Sequence, residues 1–209
     1  MLASTAMLCC AQTGEIGIDT GECGGTPEAK ITKSKSALFS DGKSGVRVYG
    51  LVEYRYNLED ARKHTCHTVV HLFVSLRGKP FRDIKSKEWD TEPGQIVGVG
   101  VIGLSPTGTM LAADFWLAEG DGVVHTPLVH EFATGISLLK ELDTDAMKSK
   151  GCDQVEDFIG VTDEGEAIFA VPPSEYVDPP ACGDNGVWHF NLKTGAVKQV
   201  AKISGDKWR

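Results

Sequence analysis

Gly103-Leu-Ser-Pro-Thr-Gly108-Thr-Met-Leu-Ala-Ala113 and Gly160-Val-Thr-Asp-Glu-Gly165-Glu-Ala-Ile-Phe-Ala170 are two versions of one pattern, set 57 residues apart from Gly108 to Gly165. Each runs from an apolar stretch into a short polar corner closed by Gly, then into a second apolar stretch. Pro fixes φ at the first corner of such a turn and Gly supplies positive φ at the last, so both segments predict a strand, a tight turn and a strand. Downstream, Val129-His-Glu-Phe-Ala-Thr-Gly135 is matched by His189-Phe-Asn-Leu-Lys-Thr-Gly195 through a shared Thr-Gly turn, 60 residues on. A fainter first copy is expected from Ser40-Asp41-Gly42 through His71 to Gly78. Self-similarity at a fixed period is the signature of stacked supersecondary units.

Other short apolar runs lie at residues 46–56, 68–76, 96–104, 110–117, 123–132, 158–161, 167–171, 187–192 and 196–203. They are rich in Val, Ile, Phe and Tyr and punctuated by Gly or Pro, the mark of antiparallel β structure. The expected fold is therefore all-β, with antiparallel propeller-like repeats forming about three blade-like sheets and a β-trefoil or β-sandwich as alternatives. Helix is expected over Asp143–Lys150, stopped by Gly151, with a turn or two over Asn57–Lys63. The chain divides into residues 1–11, a flexible arm at 12–36 and a single β-repeat domain at 37–209.

The turn-and-strand motifs, with Leu104-Ser105-Pro106-Thr107-Gly108 as the best example, resemble the repeats of secreted β-propellers of the WD40-like or TolB-like kind. Thr107 departs from the usual Asp, and Thr162-Asp163-Glu164-Gly165 lacks the Pro. The similarity covers about residues 96–203 and implies blade-like sheets. It implies no activity, because this architecture hosts enzymes, receptors and scaffolds alike.

Composition narrows the partners. With 21 Lys plus Arg against 29 Asp plus Glu, the 209-residue chain carries a formal charge of -8. That excess repels phosphate backbones and anionic headgroups, so neither nucleic acid nor a membrane surface is expected to bind. No run approaches the ~20 apolar residues of a membrane-spanning helix.

Met1–Ala11 is uncharged, apolar or small, and resembles the later half of a secretory signal peptide without its basic beginning. A secreted or periplasmic location follows as an expectation. Four further cysteines, Cys23, Cys66, Cys152 and Cys182, permit three pairings in an oxidising compartment. None of them stands in C-x-x-C spacing, so structural disulfides are expected, Cys152 with Cys182 and Cys23 with Cys66.

No motif specifies catalysis. Gly98-Val-Gly100-Val-Ile-Gly103 has the letters of a dinucleotide fingerprint, but Pro106 and Gly108 break the helix that would aim amides at a pyrophosphate. Ser105 is followed by Pro106 and is no nucleophile elbow. His64, His67 and His71 form one cluster; in a strand His67 and His71 stand about 13 Å apart, too far to share a zinc. His125 or His130 would have to join one of them through the fold. Acidic residues at Glu119, Asp121, Asp153, Glu156, Asp157, Asp163, Glu164 and Glu166 read as a solvated face, with no calcium-loop spacing.

Trp89, Trp116 and Trp188 would fill sheet cores or line a groove. No catalytic residue, cofactor or metal is expected. The expected function is non-catalytic binding or scaffolding, with loops at 116–126 and 172–186, and Trp116 and Tyr176 in them, presented to a protein or glycan. Two alternatives remain: a secreted hydrolase whose carboxylates or histidines converge in the fold, and a partial repeat protein that needs a second chain to cover its edges.

Overall fold

The computed structural model describes residues 12–19, 32–56, 65–92, 94–120, 122–141, 157–171 and 186–202. In chain order the strands are β1 Gln12–Thr13, β2 Glu15–Asp19, β3 Thr32–Asp41, β4 Val46–Tyr56, β5 Cys66–Leu76, β6 Arg82–Thr91 and β7 Ile96–Leu104. They continue as β8 Met110–Glu119, β9 Gly122–Glu131, β10 Ser137–Leu139, β11 Asp157–Val161, β12 Glu166–Val171, β13 Gly186–Asn191 and β14 Val197–Lys202. Three antiparallel sheets result: β1-β3-β4-β5-β6, β10-β9-β8-β7-β2 and β11-β12-β13-β14. The all-β class is as expected, and the sheets do not close into a ring or barrel.

Each sheet contains a four-stranded meander of neighbours in sequence, and the two motifs that define the repeat occupy equivalent places in the second and third sheets. The β7–β8 hairpin carries a bulge between Val101 and Gly103, and the β11–β12 hairpin carries one between Phe158 and Gly160. The extra residues, Ile102 and Ile159, are again 57 apart. The corners agree as well: the Gly108 amide donates to the Ser105 carbonyl at 2.8 Å, and the Gly165 amide to Thr162 at 3.1 Å. The second corner is one residue shorter, since Leu104 pairs with Leu111 but Val161 pairs with Ala167. The two corners also touch, with Thr107 donating from its backbone amide and its hydroxyl to the Asp163 carboxylate at 3.1 and 2.6 Å. These hydrogen bonds hold the Asp163 carboxyl below the usual carboxylate range.

Among the described residues the closing turn occurs three times. In Glu131–Ile136 and Asn191–Ala196 the Gly135 and Gly195 amides each donate to the first residue's carbonyl at 2.8 Å, with φ of 74° and 77°. Asp41–Val46 has the same form, Gly45 donating to Asp41 at 2.9 Å with φ of 71°. In all three, the hydroxyl of Ser44, Thr134 or Thr194 accepts the amide two residues on. Only Gly holds this left-handed φ without a Cβ penalty, which explains the Ser/Thr-Gly signature. The first sheet therefore enters the pattern out of phase with the expectation. Asp41-Gly42 begins a closing turn, and the Gly78 that was expected to close the first copy belongs to a two-residue hairpin turn, Arg77-Gly78.

The arm expected at 12–36 is a second difference. Part of it is sheet: β2 pairs along β7 from Glu15–Gly100 to Asp19–Ile96, and β1 pairs with β3. A segment with little apolar periodicity is held here by the ladder and by Ile16, 7% exposed in the core. The expected helix at Asp143–Lys150 and the turns at Asn57–Lys63 lie outside the described residues.

The second sheet is the middle layer. Side chains alternate across a strand, so Leu111, Ala113, Phe115 and Leu128 pack toward the first sheet while Ala112 and Val129 pack toward the third. Burial on both faces gives β8 an apolar run, interrupted by the buried Asp114, instead of an alternating one. One polar strut crosses the first interface: Lys87 in β6 donates to the Thr126 hydroxyl in β9. Burial pushes its ammonium down, and the Glu141 and Asp114 charges oppose that shift.

His130 is 5% exposed, with Nδ1 within 2.8 Å of the Ser137 hydroxyl and its ring edge-on to Phe132. Burial lowers its pKa, so the folded protein keeps it neutral where the unfolded chain takes up a proton. Stability should accordingly fall as pH drops below about 6.5, at no more than about 1.4 kcal/mol per pH unit from this one group. Denaturant titrations at pH 7 and pH 5 should show a smaller pH dependence in His130→Gln; an identical dependence would remove His130 from the account.

Candidate binding face

The outer face of the first sheet is built by the residues of β3 to β6 that the alternation turns away from the core. Its rows follow from strand register. Ala37, Tyr49, Phe73 and Asp83 are successive cross-strand partners, as are Lys35, Leu51, His71 and Ser86, then Glu53, Val69 and Glu88, then His67 and Asp90. A solvated sheet face normally carries polar residues at these positions. Here the centre holds Tyr49, Leu51, Val69 and Phe73, with Phe81 beside them, 40% exposed.

The aromatics form a ladder. Tyr49 stacks on Phe73 with centroids 4.6 Å apart and planes at 12°, and Phe81 meets Tyr49 edge-on at 4.7 Å. The Lys35 ammonium lies 3.9 Å from the Tyr49 ring centre, and the Arg47 guanidinium 5.3 Å from that of Phe81. Such cation–π contacts also orient the cation. On the far side the charges are acidic and held by histidines: His71 Nδ1 lies 2.7 Å from Asp83, and His67 lies 3.3 Å from Asp90 and 3.5 Å from Glu88. The result is an apolar, aromatic centre with cations along β3 and β4 and His–carboxylate pairs along β5 and β6.

The other residues singled out from the sequence are dispersed. His67 and His71 share this face, but each pairs with its own carboxylates, and neither meets His125. His125 sits in β9 with Nδ1 2.5 Å from the buried Asp114 of β8, whose other oxygen accepts the Thr126 amide at 3.1 Å. Among the described residues no group of three or more His, Cys, Asp or Glu side chains is placed to hold a metal ion. Ser105 is 4% exposed and its hydroxyl accepts the Met110 amide at 3.2 Å, a turn-forming role. Gly98 and Gly100 lie inside β7 and no helix follows them. Glu166 pairs with His189 at 3.0 Å, Glu119 accepts a hydrogen bond from Gln95, and Glu164 is exposed.

Trp188 fills the core between the second and third sheets, 5% exposed, and Trp89 packs against the first core with the Lys87 ammonium over its ring. Trp116 is not on a loop: it lies in β8, half-buried over Gly17 and Gly98, so the span 116–126 is mostly ladder of the β8–β9 hairpin. Cys66 is buried on the core face of β5. Tyr176, residues 172–185, His64, Asp121, Asp153, Glu156, Cys23, Cys152 and Cys182 lie outside the described residues.

Sequence reasoning missed the face. Its signal was present in Arg47-Val-Tyr49-Gly-Leu51-Val-Glu53, where the outward set of an alternating strand carries Tyr and Leu in its middle. Searches against protein-family models, curated proteins and solved structures find no match to this chain.

Proposed function

We propose that this is a non-catalytic secreted or periplasmic binding or scaffold protein of propeller-like repeats, presenting the outer face of its first sheet to a protein or glycan. The observation that carries the reading is the aromatic centre inside a charged rim, the anatomy of a recognition surface rather than of a solvated sheet. A protein partner fits better than a glycan, because both faces of the Tyr49 ring are occupied, by Phe73 and by Lys35, leaving none for a sugar to stack on.

The test is a pull-down from the fluid surrounding the producing cells, comparing the chain with Phe81→Asp and with Lys198→Glu on the third sheet. A partner retained by the unaltered chain and by Lys198→Glu, and lost with Phe81→Asp, is expected. Equal retention by all three would reject this face.

Export is supported by Cys66, which is buried and disulfide-bonded. The pairing proposed is Cys23 with Cys66 and Cys152 with Cys182, the latter closing a loop that stabilises by about 3 to 4 kcal/mol in the chain-entropy view. A non-reducing peptide mass map should return those two cross-links. Cys66 joined to any other cysteine would refute the assignment.

The hydrolase reading has one observation in its favour, the buried Asp114 orienting His125. It requires hydrolytic activity that disappears in His125→Ala while the fold survives.

A further inference from the structure

At the turn end of the molecule, between the first and second sheets, the structure has an open cleft of about 930 Å³. Phe39, Val46, Leu76, Leu104 and Phe132 form its apolar floor, and Lys43, Arg77 and Lys79 stand among its lining residues. Ligand sites of this size combine apolar walls with a few placed polar groups.

The charge is unbalanced. Among the described residues none of the three cations makes a salt bridge. The one acid in the lining, Asp41, accepts the Lys43 and Ser44 amides at 3.1 and 2.9 Å; a hydrogen bond from the Ser44 side chain, then these amides and the Lys43 charge, hold its carboxyl below the usual carboxylate range. A chain with a formal charge of -8 thus sets three cations against one carboxylate around this cleft.

A second, independent observation singles out Arg77. Among the described residues it is the one non-glycine with positive φ, at 49°. The two-residue turn Arg77-Gly78 needs left-handed backbone at both positions, where Asn or Gly is favoured and a long side chain is strained. Its amide donates to the Gly45 carbonyl at 2.8 Å, which locks the strained turn against the β3–β4 turn and sets Arg77 at the cleft. Strain of this kind persists where a side chain is wanted at that place.

We infer that this cleft binds an amphiphilic organic anion, a carboxylate on an apolar body. The carboxylate is held by Arg77, with Lys43 and Lys79 adding field, and the body lies on Phe39, Leu76, Leu104 and Phe132. A guanidinium takes a carboxylate through two parallel hydrogen bonds, which the lysines cannot do. The site is separate from the outer face of the first sheet and stands or falls independently of it.

Octanoate and 1-octanol, titrated calorimetrically into the full chain, test the inference. Octanoate should bind at least about tenfold tighter than octanol, the effect of one charge-assisted contact. Arg77→Asn installs the side chain this turn favours, so its melting temperature should be no lower than that of the parent while octanoate affinity falls about tenfold or more. Equal binding of octanoate and octanol, no octanoate binding, or unchanged affinity in Arg77→Asn would each overturn it. Octanoate binding that survives Arg77→Asn but is lost in Phe81→Asp would assign the ligand to the other face and overturn it too.

Discussion

Phe169→Ala should destabilise the protein by about 3 to 5 kcal/mol, more than any surface change. Phe169 is fully buried at the centre of the second core, stacked on Phe158 at 5.1 Å and edge-on to Phe190 at 6.4 Å. The same cluster contains Ala112 and Val129 of the middle sheet, so the ring joins the third sheet to the rest. Truncation loses the transfer energy of the ring and leaves a cavity that neighbours on rigid strands fill poorly. For a chain of this length the melting temperature should drop by roughly 6 to 20 °C. Hydrogen exchange should show β11 to β14 opening before β3 to β6. A loss under about 1 kcal/mol, or uniform loosening of all three sheets, would contradict a second core organised by Phe169.

Gly98→Ala should cost about 1 to 3 kcal/mol through overpacking. A Cβ at this position would lie 2.3 Å from the Ile16 carbonyl oxygen and 2.5 Å from Trp116 Cζ2. The carbonyl belongs to the β2 backbone and cannot swing aside, so β2 has to shift away from β7. Gly42→Ala is the matched control: an added Cβ there meets nothing within 4 Å, and the change should stay within about 0.5 kcal/mol. Comparable melting curves for the two variants would show that β2 is not seated as described. The dinucleotide-like glycines are thus explained by packing: Gly98 gives room to a neighbouring strand and to an indole.

Much of the organisation was legible because turn chemistry is local. Pro106, Gly108 and Gly165 announce their corners through φ, and Thr134-Gly135 and Thr194-Gly195 announce theirs. The same logic read backwards misplaced the first copy: Asp41-Gly42 looks like an opening corner, and only the hydrogen bond from Gly45 back to Asp41 makes it a closing turn. The span 12–36 misled for another reason. A strand added to a sheet edge draws its stability from backbone pairing with β7, which leaves little trace in its side chains.

The candidate face was the least legible part, since each of its residues is ordinary in its own strand. Tyr49 and Phe73 are 24 positions apart and Lys35 lies on a third strand, so the ladder arises only when three strands align. Arg77 gave no sign at all, because backbone strain is invisible in residue type.

The sequence by itself determined the class of structure, the spacing of its turn motifs and the net charge of -8. Those properties reside in single residues or in spacings of a few positions. Only the tertiary structure decided which faces are covered, where Tyr49, Phe73 and Phe81 meet, and that Lys43, Arg77 and Lys79 gather around one cleft. The physical reason is that strand pairing and sheet stacking join residues tens of positions apart, and no local preference encodes such a meeting.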